Sequence, residues 1–250
     1  MILITIHSGN IFEENRLFLM RYIIENIKNL KVPMEAIILD TETTGKNNPI
    51  LIEAAWLSLE QINPFQTGGS FCQRYNPGKD IELGALATHH ILDEELVDCP
   101  AASTFELPQG VEYLIGHNID YDWEVIGSPN LKRICTLALS RKVWPAIDAY
   151  SQSALLYFLD RNNARNILKN AHSAEVDVGV CATILKEICH KLSLNSLDDL
   201  WQISEDARVP TIMMFGKHKG TPITDIPSDY KRWLLNQGNL DPYLLQALSD

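Results

Sequence analysis

Three short stretches of this sequence carry side chains that could do chemistry together. The first is Asp40-Thr41-Glu42-Thr43-Thr44-Gly45, which follows the apolar run 35–40 (EAIILD). That run reads as a buried strand, and on a strand side chains at alternate positions share a face. Asp40 and Glu42 would then stand side by side at a strand end. Two carboxylates held that close repel unless a cation compensates, and hard oxygen donors of this kind suit Mg²⁺ or Mn²⁺. The same hexapeptide also reads as a solvated, Thr-rich turn. The second stretch is Gly116-His117-Asn118-Ile119-Asp120-Tyr121-Asp122-Trp123, at another strand-to-helix junction. The third, His172-Ser173-Ala174-Glu175-Val176-Asp177, enters a long apolar helix over 174–192. With that helix starting near Ser173, Asp177 lies about one turn in, on the side of His172.

The elements that must position these residues are legible from periodicity and turn residues. Residues 50–59 (ILIEAAWLSL) and 70–75 (SFCQRY) read as two strands of an antiparallel meander beside the first, closed by Asn76-Pro77-Gly78. A helical pattern covers 83–97. Residues 111–118 return to strand, a helix starts near Asp120, and 133–136 makes another short strand. Helical patterns then cover 136–143, 151–160 and 174–192. Three early strands followed by alternating strand and helix predict an α/β fold, a mixed sheet flanked by helices. Ser196 opens a further helix, with Asp199 completing a weak capping box.

Arg208-Val209-Pro210 marks a boundary, after which residues 211–250 read as a small module. It comprises a β-hairpin around Lys217-His218-Lys219, a helix capped by Ser228 with Trp233, Leu234 and Leu235 in the core, and a last helix from Asp241-Pro242. The Lys-His-Lys turn reads either as a solvated tip or as a phosphate contact. At about 40 residues the module is marginal for folding alone, so it is expected to pack on the main domain. At the other end, residues 12–30 read as an amphipathic helix.

Taken together, the three stretches resemble the DnaQ-type 3′–5′ exonuclease superfamily, in its four-carboxylate-plus-histidine branch. The branch pattern D-x-E-T-T-G is met in full at 40–45. H-N-x-x-F-D is met at 117–122 with Tyr121 in place of Phe, and H-x-A-x-x-D at His172, Ala174 and Asp177. Residues 87–91 (ATHHI), Ile134-Cys135-Thr136-Leu137-Ala138, Trp144-Pro145 and the stretch 211–235 narrow the likeness to exodeoxyribonuclease X-like members.

The resemblance implies a ribonuclease H-like, five-stranded mixed sheet within an exonuclease domain at 34–207, with the C-terminal module at 208–250. It places metal ligands at Asp40, Glu42, Asp122 and Asp177 and a general base at His172, which makes these five the candidate catalytic residues. Two Mg²⁺ or Mn²⁺ ions about 3.5–4 Å apart would flank the scissile phosphate. An imidazole at 172 would accept the attacking water's proton at neutral pH. In-line attack would release a nucleoside 5′-monophosphate from a DNA 3′ end, in a repair or recombination role. Thr41, Thr43, Thr44, Gly45, Lys46, Asn47, His89, His117 and Asn118 are the candidate substrate contacts. Asp120 reads as a helix cap or a support behind the ligands, and Glu175 as solvated. Single-stranded and duplex ends are both open as substrates, and RNA is not excluded. An exoribonuclease of the oligoribonuclease or RNase T kind and a polymerase proofreading exonuclease are the alternatives. Family members begin their first strand close to the initiator, so Met34 is the expected start and 1–33 an upstream segment or a helical extension.

Composition bounds the rest. The chain of 250 residues is 46% apolar and 21% charged, which excludes disordered and fibrous classes. Its apolar runs fall short of the roughly 20 residues of a membrane span. No cysteine pair shows CxxC spacing, so reduced thiols in a cytoplasmic protein are expected. The net charge of −11 disfavours a broad basic coat for nucleic acid. It divides unevenly, however: 34–207 carries 12 basic and 25 acidic residues, whereas 131–170 holds seven basic residues against Asp148 and Asp160. That local strip is the candidate backbone-contacting face. The oligomeric state is not encoded in any motif.

Overall fold

The computed structural model describes residues 34–238 and 240–249, so the expected helix at 12–30 lies outside the described residues. Among the described residues, five strands form one mixed sheet in the order β3-β2-β1-β4-β5. They are β1 (Ala36–Thr43), β2 (Leu51–Gln61), β3 (Gln66–Arg74), β4 (Tyr113–Gly116) and β5 (Lys132–Cys135). β1, β2 and β3 form the antiparallel meander, while β4 and β5 run parallel to β1. The helices are α1 (Leu83–His89), α2 (Asp120–Val125), α3 (Thr136–Val143), α4 (Gln152–Leu159), α5 (Arg161–Ile167), α6 (Ala174–Leu192), α7 (Leu197–Arg208), α8 (Ser228–Leu235) and α9 (Pro242–Ser249). Among the described residues no helix is long and apolar enough to cross a membrane.

The central strand separates two cores by its alternation. Ala36 and Ile38 face α6, meeting Val178, Cys181, Leu185 and Ile188. Ile37 and Leu39 face the opposite side, against Ile119, Cys135 and Ala138. Asp40 and Glu42 continue the α6-facing register, less buried than the residues before them. The pairing of β1 with β4 ends at Ile38–Ile115, so residues 40–43 run past the end of β4. That divergence opens a crevice at the carboxyl end of the sheet, where ligands of open α/β sheets bind.

Several sequence expectations needed adjustment. The pattern at 83–97 splits into α1 and a 3-10 turn at Asp93–Leu96, because His90 turns left-handed at φ 59° and closes α1. α5 was not foreseen; Asp160 starts it, its carboxylate accepting from Asn163 N–H at 3.4 Å. The expected C-terminal hairpin reduces to one bridge between Ile212 and Pro222. Pro222 has no N–H to extend a ladder, and a 3-10 turn follows at Ile223–Asp225. The module's core is Met213, Ile223, Ile226, Leu234, Leu244 and Leu248. Trp233 is not part of it and is 53% exposed, contrary to the expectation that it is a core residue. Pro227 rather than Ser228 occupies the cap position of α8.

Candidate active site

Asp40, Glu42 and Asp177 each offer a carboxylate oxygen, and these atoms lie within 4.8 Å of one another. The first two come from alternate positions of β1, the third from the first turn of α6. Asp122 stands behind them, 5% exposed. Its Oδ1 accepts from the Thr41 N–H at 2.9 Å and the Thr41 hydroxyl at 2.7 Å. Thr41 lies past the last β4 pairing, so the ladder offers its N–H no partner on that side. α2 supplies one by presenting Asp122. Charge-assisted bonds of this kind contribute about 1.5–3 kcal/mol each.

The electrostatics follow from the crowding. Burial, reinforced by Asp122, Asp177 and Glu42, holds the Asp40 carboxyl well above the usual carboxylate range. The Gln152 amide, at the start of α4, opposes this by favouring the charged form. Burial and then Asp177, Glu53 and Asp122 push Glu42 up to about 8. Asp122 is raised to about 7 by burial, against the pull of its Thr41 bonds. Asp177 is raised by burial, offset in part by His172. Such a group of oxygen donors is unfavourable as four bare anions and fits hard divalent cations, which would displace the protons.

The flanking loops are fixed by polar contacts. Gly45 adopts φ 146°, and a Cβ there would meet the Glu82 carboxyl at 2.2 Å. Glu82 accepts from the N–H groups of Lys46 and Asn47, clamping the loop after β1. Lys79 binds the carbonyls of Asn47 and Asn48. The side chains of Lys46 and Asn47 remain exposed. Thr44 is fully buried and exchanges bonds with Ile50. Thr43 shares a 2.6 Å bond with Tyr121, whose hydroxyl also donates to the Gly45 carbonyl. Tyr121, the departure from the family's Phe, thus ties α2 to the loop beside the site.

The histidines occupy distinct settings. His172 is exposed, with φ 67°, at the entrance to α6. His117 bonds Thr136 through Nδ1 at 3.0 Å and the Tyr150 carbonyl through Nε2 at 2.8 Å. Burial pushes it down to about 4, so it is neutral and joins β4 to the loop before α4. Asn118, exposed at φ 69°, shapes the turn into α2. His89 is buried; Ile91 N–H donates to its Nδ1, which leaves the proton on Nε2. That Nε2 lies on the side of the Thr43 carbonyl but makes no hydrogen bond among the described residues. Burial lowers the pKa of His89.

Two supporting residues had escaped sequence reasoning. Glu53, 4% exposed on β2, pairs in register with Glu42 on one side and Arg74 on the other. It accepts from Arg74 at 3.0 Å and from the Ala174 N–H at 2.9 Å, so it binds the start of α6 to the sheet. A lone acid inside the apolar run ILIEAAW was the available signal. Gln152 carried no comparable signal. Asp120, read as a helix cap or as a support behind the ligands, is not the cap, which is Ile119, and pairs with Arg133 at 2.5 Å and Arg208 at 3.2 Å. Glu175 is exposed. The basic strip is partly consumed: Arg133 is held by Asp120, and Lys132 by Asp198 at 2.7 Å.

No family model matches the chain. Curated relatives do. The chain is 28% identical over 212 residues to exodeoxyribonuclease 10 of Escherichia coli K12, covering 82% of this chain and 91% of that protein. It is 30% identical over 176 residues to the DNA polymerase III subunit epsilon of Pasteurella multocida Pm70, covering 61% of this chain and 67% of the relative. Among solved structures, exonuclease X bound to 5′-overhanging duplex DNA superposes with a TM-score of 0.55 at 23% identity, over 68% of this chain and 99% of that one. E. coli exonuclease I bound to a dA16 oligonucleotide gives 0.53 at 14% identity, over 83% and 60%. These two share the fold. With the sheet order, the carboxylates at the end of its central strand and the relatives in agreement, the chain belongs to the DnaQ-type 3′–5′ exonuclease family.

Proposed function

We propose that this protein is a divalent-metal-dependent 3′–5′ exodeoxyribonuclease that removes nucleoside 5′-monophosphates from DNA 3′ ends. The observation that carries the reading is the convergence of Asp40, Glu42 and Asp177 within 4.8 Å at the crevice, with buried Asp122 behind them. DNA is favoured over RNA because the relatives are named as an exodeoxyribonuclease and DNA polymerase subunits.

The four carboxylates would hold two Mg²⁺ or Mn²⁺ ions. When bound, such ions acidify an attacking water and stabilise charge on the leaving 3′-oxygen. The chain's own residues do the rest. Thr41 holds Asp122 in one orientation through two hydrogen bonds. Glu53 fixes the first turn of α6, and with it the position of Asp177. His172, on the exposed entrance to α6, takes the proton from the attacking water. Lys46 and Asn47, exposed on the Glu82-clamped loop, meet the terminal nucleotide. The Thr41–Gly45 backbone lines its approach. His89, His117 and Asn118 keep the walls of that approach in place. Residues 34–207 form the exonuclease unit and 208–250 an accessory module. Trimming of 3′ ends fits a repair or recombination role.

A panel of single-stranded DNA, duplex DNA and short RNA, labelled separately at 3′ and 5′ ends and assayed with Mg²⁺ and with Mn²⁺, tests this. Early release of the 3′ label as a mononucleotide, faster from DNA than from RNA, is expected. Faster RNA degradation would overturn the substrate assignment.

A further inference from the structure

The C-terminal module leaves aromatic surface in water although it has little core to spare. Trp233 is 53% exposed, Phe215 46% and Met214 63%. Small units gain stability from burying such groups, so an indole left outside the core of Met213, Ile223, Ile226, Leu234, Leu244 and Leu248 needs another reason. Trp233 is also backed by two half-buried rings, His218 and Tyr230. His218 meets the Tyr230 ring edge-on at 4.5 Å between centroids, and Tyr230 meets Trp233 at 5.3 Å. Gly216, at φ 69°, lets the turn close against the Tyr230 hydroxyl, which a Cβ would meet at 2.8 Å. The turn is held by bonds from Gly220 N–H to the Met213 carbonyl and from Thr221 N–H to the His218 carbonyl.

Charge completes the picture. The stretch 211–235 carries Lys217, Lys219, Lys231 and Arg232 against Asp225 and Asp229, a local excess of +2 in a chain of −11. None of these four cations forms an ion pair among the described residues. An exposed indole backed by half-buried rings and flanked by free cations matches single-stranded nucleic acid, whose unpaired bases stack on rings while its phosphates meet cations. A duplex hides its base faces and would engage only the cations. The module is also fixed to the site: Tyr243 of α9 and Asp120 of α2 both bind Arg208, and α2 carries Asp122.

We propose that His218, Tyr230 and Trp233, with Lys217 and Lys219, form a second single-stranded DNA site that grips the substrate on the 5′ side of the end being trimmed. The choice of DNA rests on the proposed function, whereas the existence of the site does not.

The test uses the full chain. Binding of a 30-nucleotide and a 4-nucleotide single strand is measured by fluorescence anisotropy in an Asp40→Asn background, which spares the DNA. Turnover of both is measured with Asp40 intact. Trp233→Ala should weaken binding of the long strand about tenfold, the contribution of one stacked base. It should leave turnover of the 4-nucleotide strand unchanged, and Trp233→Phe should restore most of the lost affinity. Replacing Lys217 and Lys219 with Ala should reduce the slope of log affinity against log salt by about 1.4. Equal losses on long and short strands, a Trp233→Phe defect as large as that of Trp233→Ala, or unchanged long-strand binding would each overturn the site. Tighter binding of RNA than of DNA with the same sequence would overturn the DNA assignment. A chain that binds the long strand through Trp233 but degrades no DNA would contradict the proposed function and leave the second site standing.

Discussion

The crevice at the end of β1 and the exposed face of the C-terminal module solve opposite problems. In the crevice, carboxylates are buried together: burial, reinforced by neighbouring carboxylates, pushes Glu42 up to about 8, and burial pushes Asp122 up to about 7. The structure tolerates the crowding because Thr41 holds Asp122 and Glu53 holds the start of α6, which carries Asp177. On the module, Lys217, Lys219, Lys231 and Arg232 make no ion pair among the described residues, and Trp233 is 53% exposed. One region is preorganised for cations, the other for an anionic polymer. The difference explains how a chain of −11 can serve a nucleic-acid substrate: most of its excess acid lies in 34–207, where four members of that excess converge on one site.

The sharpest way to break this contrast is to neutralise the crevice. Asp40→Asn should reduce metal-dependent 3′ release by about 10³-fold or more in a labelled-strand assay. The same variant should be more stable than the parent when metal is absent, by about 1 kcal/mol or roughly 2–4 °C in Tm. The pH dependence follows with its sign. These carboxyls have folded pKa values above their unfolded ones, so the native state binds the extra protons. Metal-free protein therefore keeps the contribution of Glu42 below about 4.5 and loses it as pH rises towards about 8. Thermal melts across that range in EDTA should fall in Tm with pH, and Mg²⁺ should remove the fall.

A smaller loss is expected from His172→Ala, about 10²-fold in kcat. Metal affinity should hardly change, which separates a proton acceptor from a ligand. Glu53→Gln probes the support instead. It removes the ion pair with Arg74 and weakens the hold on the Ala174 N–H, so about 1–3 kcal/mol of stability should be lost, together with part of kcat. The smallest effect should come from Tyr121→Phe, which restores the family pattern. It deletes the Thr43 and Gly45 contacts at a cost of about 1 kcal/mol or less by denaturant melt, with activity retained.

Much of the crevice was legible because its chemistry is local. Asp40 and Glu42 share a strand face by spacing alone, and the junctions at 117–122 and 172–177 advertise themselves by polar residues between apolar elements. The antiparallel meander and the spans of α3, α4 and α6 followed from apolar runs and helical periodicity. What was not legible depends on contacts distant in sequence. Glu53 matters through Ala174, 121 positions away, and Asp120 through Arg208, 88 away. The break after α1 turns on the backbone angle of His90, and the lost hairpin on a proline within its second strand. Trp233 was misread because three consecutive apolar residues fan around a helix and cannot all face one core, and the triplet does not reveal which member faces water.

The most direct measurement is release of a 3′-terminal label from single-stranded DNA by the metal-free protein, with Mg²⁺ then added back in steps. The carboxylate site predicts no release in EDTA and recovery with Mg²⁺ that is easier at pH 8 than at pH 6, where protons compete for Glu42 and Asp122. The label should leave as a nucleoside 5′-monophosphate. Release that persists in EDTA, or loss of a 5′ label first, would contradict the account.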